Sequence, residues 1–113
     1  MENTSVREKT TSDIVMQLLD DGSPLDLSSI DHIRLDMVDS FGKGYRYSSD
    51  DSPPYLAITV ASTGTITFTP PDSTIFLYQR SPYKVYIQIF ETASKSYSVP
   101  ENTYSKIVVE REY

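Results

Sequence analysis

The stretch YKVYIQIF, residues 83–90, has the most regular alternation of side chains in the sequence. Its odd-numbered positions, from Tyr83 to Ile89, are apolar and share one face of an extended strand, because successive side chains point to opposite sides. β-Branched and aromatic residues of this kind suit a pleated sheet. The stretch therefore predicts a strand with one buried face, which requires a second sheet to cover it.

Further segments along the chain show the same alternation, and turn residues separate them. They are residues 14–19, 33–37, 43–47, 55–60, 64–69 and 105–110. About seven short strands with regular turn signals are typical of a sandwich. We therefore predict an all-β fold, an immunoglobulin-like antiparallel β-sandwich of about seven strands. Residues 72–79 fit either a short capped helical turn or an irregular link between the sheets.

The domain organisation predicted from these segments is one sandwich preceded by an arm. A chain of 113 residues suits a single domain. We assign residues 1–12 to a flexible amino-terminal arm and residues 13–113 to the sandwich. Arg7 and Lys9 lie in the arm and are candidates for contact with an acidic partner surface.

The polar corner DDGSPLDLSSI, residues 20–30, follows the first predicted strand. Gly22 permits a turn that other residues resist, and Pro24 discourages continuation of the strand. Leu25 and Leu27 can tuck under the edge of the sandwich. We expect this corner to carry the chain from one sheet to the other.

Composition excludes several classes of function. The chain has no Cys, which rules out disulfides, thiolate zinc sites and Cys nucleophiles. A net charge of −6 with scattered basic residues predicts no nucleic-acid partner. We also predict no membrane partner, because no apolar run approaches the ~20 residues of a membrane span. The first twelve residues lack the apolar core of a signal peptide, so synthesis in a cytoplasm is expected.

Catalytic and metal-binding side chains are sparse. His32 is the only histidine, and its phase in the strand points it to the polar face, where we predict a surface or interface role. We predict no catalytic residue, no cofactor and no metal. Calcium at loop aspartates is the alternative, although their spacing does not match an EF-hand and Asp at turns usually bonds local backbone. Those aspartates are Asp20, Asp21, Asp26, Asp50 and Asp51.

Nine tyrosines are the remaining signal. Tyr83 is predicted to point inward and to bond neighbouring backbone through its hydroxyl, as a corner Tyr does in many sandwiches. Exposed Tyr is favoured at protein interfaces, and stacking on sugar rings is the rival use. The candidates for partner contact, beside Arg7 and Lys9, are Tyr45, Tyr47, Tyr55, Tyr86 and Tyr97.

Short motifs along the chain resemble a family. The corner has Gly22, Pro24, Asp26 and Leu27; a Gly-initiated strand follows at 64–68, a Y-x-V-x-I strand at 83–87 and a closing I-x-V strand at 107–109. In this order they resemble the small immunoglobulin-like domains of tailed-bacteriophage virions, notably the amino-terminal domain of baseplate upper proteins and related head-decoration and tail modules. The similarity covers roughly residues 13–110.

The resemblance implies a function as well as a fold. It implies a non-enzymatic virion structural protein, a capsid decoration or a head, tail or baseplate connector subunit. Its partners would be other virion proteins in a symmetric homo- or hetero-oligomeric assembly, and its location the virion. The alternative is a carbohydrate-binding or host-surface adhesion module that uses exposed Tyr and loop Asp.

Overall fold

Two β-sheets pack face to face in the computed structural model, which describes residues 4–20, 22–52, 54–92, 95–99 and 105–111. The larger sheet contains, in spatial order, β1 (Thr4–Arg7), β11 (Ser105–Glu110), β9 (Tyr83–Phe90), β5 (His32–Val38) and β6 (Gly44–Ser48), and β10 (Ser96–Val99) also pairs with β9. The smaller sheet contains β2 (Ile14–Gln17), β8 (Thr65–Phe68) and β7 (Leu56–Val60). A short hairpin joins β3 (Leu19–Asp20) to β4 (Ser23–Pro24).

The connections between the sheets follow the immunoglobulin order. The chain crosses from β2 to the β5–β6 hairpin, returns to the β7–β8 hairpin, and crosses again to β9. This places three strands on one sheet and the strands equivalent to C, C′, F and G on the other. The predicted all-β, immunoglobulin-like sandwich is confirmed, and the corner at residues 20–30 does join the two sheets.

The larger sheet is mixed rather than purely antiparallel. β1 pairs in parallel with β11, from Thr4 opposite Ile107 to Arg7 opposite Glu110. The sandwich therefore includes residues 4–7, which the sequence assigns to the arm, and begins before residue 13. The backbone groups at the edge of β11 provide the partners that these polar residues lack among themselves. Residues 1–3 of the predicted arm lie outside the described residues.

More strands are present than the seven predicted segments. β9 and β11 have the predicted bounds, whereas β10 was missed because Val99 is the only buried residue in its sequence, SYSV. Residues 72–77 form an irregular link, one of the two alternatives that the sequence left open, and the Asp72 carboxylate accepts a bond from the Thr74 N–H at 2.8 Å. A single 3₁₀ turn, Tyr78–Arg80, follows the link.

Tyr83 forms the predicted corner at the start of β9. Its side chain is fully buried, and its hydroxyl donates a hydrogen bond to the Ile75 carbonyl at 2.8 Å. The same hydroxyl accepts a bond from the Leu77 N–H at 3.0 Å. These bonds tie the link between β8 and β9 to the core, as in other sandwiches with a tyrosine corner.

The polar corner packs against the turn between β7 and β8. The Leu18 N–H donates to the Gly64 carbonyl at 2.8 Å, and the Leu27 N–H donates to the Ala61 carbonyl at 2.8 Å. Gly64 has φ +68°, and a Cβ on it would lie 2.6 Å from the Leu25 carbonyl oxygen. Only glycine satisfies both the left-handed conformation and this close backbone approach.

Candidate interaction surface

The outer face of the larger sheet carries the main concentration of charged side chains. Alternation along each strand sends one set of residues to the core and the other outward, and the register aligns the outward sets of neighbouring strands. We call this surface the cationic face. Its outward residues are Ser5, Arg7, His32, Arg34, Asp36, Val38, Gly44, Arg46, Ser48, Lys84, Tyr86, Gln88, Phe90, Ser96, Ser98, Lys106, Val108 and Glu110.

The sign of this face is opposite to that of the whole chain. The sequence has ten Lys and Arg residues and a net charge of −6. Five of the ten lie on the cationic face, namely Arg7, Arg34, Arg46, Lys84 and Lys106. The carboxylates among its residues are Asp36 and Glu110, and those of Asp31 and Asp50 lie at one end, beside His32. A positive surface on an acidic chain favours an acidic partner and orients it during encounter.

Asp36 holds two arginines at the centre of the cationic face. Its carboxylate is almost fully buried and lies 3.1 Å from Arg34 Nε and 2.8 Å from Arg46 Nε. The hydrogen bond from the Arg46 guanidinium, with the nearby negative charge, raises the pKa of Arg46. One carboxylate thus fixes two guanidinium groups at the surface.

A depression of about 330 Å³ opens next to this cluster. Arg46 and Tyr86 are both outward and lie on either side of Asp36, and Gly44 follows next to Arg46 along β6 with no side chain of its own. Its lining is Asp36, Met37, Val38, Gly44, Tyr45, Arg46 and Tyr86. A guanidinium beside a phenol ring suits a partner's carboxylate side chain.

His32 lies at one end of the cationic face, as its phase in the strand predicts. Its ring stacks on Phe90 with centroids 4.3 Å apart, and its Nδ1 lies 2.6 Å from the Asp31 carboxylate. The Arg34 guanidinium covers the same Phe90 ring at 5.4 Å. Asp50 comes within 3.9 Å of His32. These contacts place His32 between an aromatic ring and two carboxylates, so this end of the face carries acidic as well as basic groups.

The structure brings two of the predicted contact residues, Arg7 and Tyr86, onto the cationic face. Lys9 is exposed in the turn after β1, where its φ is +62° and its N–H donates to the Phe76 carbonyl at 2.8 Å. Tyr97 pairs with Ile89, on the inner side of β10, yet remains 37% exposed.

The remaining predicted contact residues, Tyr45, Tyr47 and Tyr55, lie on the other side of the sheet or beside it. Tyr45 is only 9% exposed, so it belongs to the core rather than to the surface that the sequence predicted. Tyr47 and Tyr55 are half-buried against the core, and the Tyr47 ring lies 4.9 Å from that of Phe68. The register places Tyr45 and Tyr47 opposite the buried residues of β5, and this decides their direction.

Tyr45 has a structural partner in Asp39, the carboxylate at the turn between β5 and β6. Asp39 accepts hydrogen bonds from the Tyr45 hydroxyl at 2.9 Å and Arg80 Nη1 at 2.9 Å. It also accepts bonds from the N–H groups of Phe41 and Lys43. Burial alone would raise the pKa of Asp39, but these hydrogen bonds outweigh it and hold the pKa below its ordinary value.

The loop aspartates bond local groups, as aspartate at turns commonly does. Asp26 accepts a bond from the Ser28 N–H, and Asp51 accepts one from the Ser48 N–H, both at 2.9 Å. Asp50 contacts the Ser48 hydroxyl. Among the described residues, no group of three or more His, Asp or Glu could hold a metal ion. Asp21 lies outside those residues, and nothing is described of the Asp20 side chain.

Sequence reasoning singled out five tyrosines with Arg7 and Lys9, and it missed the other four cations of the cationic face. Three predicted strands each carry a basic residue at a position that alternates with buried residues; these are Arg34, Arg46 and Lys84. This alternation was the sequence signal that could have identified them as outward-facing. Pairing brings them together, since Asp36 lies opposite both Arg46 and Tyr86. The sequence contains the phase of each strand but not which strands are neighbours.

Comparisons with protein-family models, with curated proteins and with solved structures found no significant match for this chain. In the part of the chain that the structure describes, no helix is both long and apolar enough to cross a membrane.

Proposed function

We propose that this chain is a non-catalytic structural protein of a tailed-phage particle, a capsid decoration or a head, tail or baseplate connector subunit. It binds other particle proteins through the cationic face. The observation that supports binding through this face is the concentration of five cations on one sheet face of a chain whose net charge is −6. A positive face attracts an acidic protein surface, whereas the rest of this acidic chain repels it.

Binding through this face combines electrostatic attraction with fixed contact groups. Arg34 and Arg46 are already held in place by Asp36, so little side-chain freedom is lost when a carboxylate binds them. Tyr86 and Phe90 supply aromatic area, which protein interfaces favour. The partner that fits is a protein surface with carboxylates spaced to meet these groups.

The phage particle enters the proposal through the resemblance of the short motifs. The corner residues of that resemblance serve the fold here: Gly22 has φ +82° and Leu27 is buried. The immunoglobulin-like sandwich is compatible with a decoration or connector role. A repeated subunit of this kind needs exposed binding faces rather than a deep catalytic cleft.

Mass spectrometry of purified particles tests the particle assignment. Particles purified from a lysate of cells that carry the gene should contain the chain in stoichiometric amount. Absence of the chain from those particles would overturn the proposal.

A charge-reversal pair tests the binding face. Particles made without the chain should bind the purified wild-type protein, and binding of Lys84→Glu/Lys106→Glu should fall at least tenfold. The matched control, Lys43→Glu/Lys95→Glu, changes the net charge equally at two exposed turn positions and should bind normally. Equal loss in both variants would assign the effect to net charge and not to the cationic face.

A further inference from the structure

β1 is the most weakly packed strand of the two sheets. In the part of the chain that the structure describes, every other strand of these sheets contains at least one buried side chain, whereas the four residues of β1 alternate between half-buried and exposed. Val6 is its one apolar residue and is only half-buried against the core. β1 is therefore held mainly by its parallel backbone pairing with β11, and its release exposes little apolar surface.

The loop that joins β1 to β2, residues 8–13, is short and contains backbone strain. Lys9 has φ +62°, and among the described residues it is the one non-glycine residue with a positive φ. This left-handed conformation is unfavourable because it brings Cβ close to the following carbonyl oxygen. The turn is closed by a long hydrogen bond, from the Thr10 N–H to the Arg7 carbonyl at 3.3 Å. Short loops under strain favour the exchange of a terminal segment between copies, because exchange relieves the strain.

Rotation at Lys9 redirects the chain without disturbing the docked strand. The torsion φ turns about the bond from N to Cα, so a change in φ leaves the N–H of the same residue in place. The bonds that dock β1 all precede this torsion. They are the ladder with β11, the bond from the Glu8 N–H to the Glu110 carbonyl at 2.9 Å and the bond from the Lys9 N–H to the Phe76 carbonyl at 2.8 Å. Rotation breaks the long turn bond and keeps these docking bonds.

We infer that β1 exchanges between two copies of this chain, so that residues 4–9 of each copy occupy the edge of β11 in the other. The occupant of that edge is visible in the structure, since the exchanged dimer repeats the pairing that a single chain makes. When β1 leaves, the backbone groups along β11 lose their partners, and an identical strand restores them. The exchange therefore needs no new contact surface, and strain is relieved at two Lys9 positions in each dimer.

The length of the loop sets the arrangement of the dimer. Residues 10–13 span at most ~14 Å when extended. The two sandwiches must therefore lie side by side at the ends where β1 stops and β2 begins, related by a two-fold axis. Because the contacts of β1 are the same before and after exchange, the cost of association is offset mainly by relief of strain. We expect a dimer that forms at submillimolar to millimolar concentration. The inference concerns the purified chain and does not depend on the particle partner proposed above.

Disulfide cross-linking between copies tests the exchange directly. The chain has no Cys, and Ser5 and Val108 are exposed register partners in β1 and β11. Neighbouring strands lie ~4.8 Å apart, within the ~4.4–6.8 Å between Cα atoms that a disulfide spans. One chain carrying Ser5→Cys and another carrying Val108→Cys should therefore form a disulfide between positions 5 and 108 of different copies. Peptide mass spectrometry after mixing at submillimolar concentration under mild oxidation identifies this bond.

The matched control for cross-linking is Val60→Cys in place of Val108→Cys. Val60 is 47% exposed and Val108 41% exposed, but Val60 lies in β7 of the smaller sheet. Its bond to position 5 should form at least tenfold less, because it arises only from random collision. Equal yields from the two mixtures would overturn the inference.

Both substitutions in one chain test whether release of β1 is required. Ser5→Cys/Val108→Cys should close a disulfide within the chain, lock β1 onto its own β11 and abolish dimerisation. Reduction should restore the dimer. Dimerisation that is equal with the disulfide open and closed would overturn the inference, as would failure of the disulfide to close within the chain.

Two substitutions of Lys9 remove the same charge but have opposite backbone preferences. Glycine adopts a positive φ readily, whereas a β-branched residue resists it. By sedimentation velocity, Lys9→Gly should dimerise at least tenfold more weakly than the wild type, and Lys9→Val at least as strongly as the wild type. Each dimer contains two copies of the loop, so the effect counts twice. Equal dimerisation of the two variants, or a wild type that stays monomeric at millimolar concentration, would contradict the exchange.

Discussion

The two outer faces of the sandwich use the same backbone alternation in opposite ways. On the larger sheet, Arg34 and Arg46 are fixed by a nearly buried carboxylate, Asp36. On the smaller sheet, Thr59 and Thr67 pair through their hydroxyls. Both sheets supply apolar side chains to one core, so the inward half of every strand serves the fold. The outward half does not contribute to the core, so the chemistry of its side chains can differ between the sheets.

The comparison extends to how each sheet is held. The smaller sheet depends on a close backbone approach at Gly64, where the polar corner crosses the turn between β7 and β8. The larger sheet depends on carboxylates, Asp36 on its face and Asp39 at its end. Substitutions should therefore affect the two sheets through different physical causes, steric on one side and electrostatic on the other.

The largest effect is expected from Gly64→Ala. A Cβ 2.6 Å from the Leu25 carbonyl oxygen forces the corner off the turn, and φ +68° adds backbone strain. We expect the free energy of unfolding to fall by at least about 3 kcal/mol. Gly42 has φ +89° but open space around it, so Gly42→Ala is the matched control, with a loss of about 1 kcal/mol. Urea denaturation measures both, and equal losses would show that close packing at Gly64 is unimportant.

Asp39→Asn should be the next most damaging change, and it acts on the larger sheet. The carboxylate accepts four hydrogen bonds, two of them from the Tyr45 hydroxyl and the Arg80 guanidinium. An amide leaves the guanidinium without its counter-charge and turns one acceptor into a donor. We expect a loss of about 2–3 kcal/mol in the free energy of unfolding at neutral pH. A stability equal to that of the wild type would contradict the role given to this carboxylate.

Asp39 should also make the free energy of unfolding depend on pH in the acid range. The pKa of Asp39 lies below its ordinary value of 3.8 in the folded protein, because its hydrogen bonds outweigh the effect of burial. The contribution of Asp39 is therefore present above that ordinary value and is lost as pH falls through the lower, folded-state pKa. Unfolding measured between neutral and acid pH should show a smaller acid dependence for Asp39→Asn than for wild type. Identical slopes would mean that Asp39 is not responsible.

The smallest effects come from matched changes at the centres of the two faces. Asp36→Ala removes the counter-charge of two arginines and should lower the free energy of unfolding by about 1–2 kcal/mol. Thr67→Val removes a surface hydroxyl from the outer face of the smaller sheet and should change the free energy of unfolding by less than about 0.5 kcal/mol. Thermal denaturation of both variants beside wild type measures the difference. A larger loss for Thr67→Val than for Asp36→Ala would reverse the comparison of the two faces.

Much of the fold could be predicted because its signals are local. Alternation in YKVYIQIF and SKIVVE places β9 and β11 at their observed bounds, and the inward phase of Tyr83 predicts its corner hydrogen bond. β1 and β10 were harder, since TSVR and SYSV contain few apolar residues and acquire their strand structure from neighbours. Polar sequences of this kind have no pattern that identifies them in isolation.

The candidate interaction surface was less predictable, because it depends on which strands are neighbours. Arg7 and Tyr86 were selected from sequence and lie on the cationic face, whereas Tyr45 turns into the core. Tyr is amphipathic, so the phase of KGYRY does not say whether its tyrosines or its arginine face outward. The pairing of β6 with β5 decides it, by setting Tyr45 opposite Met37.

The sequence by itself determined the all-β class, most of the strands and the inward set of each, because turn chemistry and two-residue periodicity act over a few residues. Only the tertiary structure decided that Arg7, Arg46 and Lys106 share a face, that β1 lies parallel to β11, and that Gly64 supports the polar corner. Those arrangements depend on register between segments far apart in the chain. Register is set by the joint burial of both sheets and by no single segment.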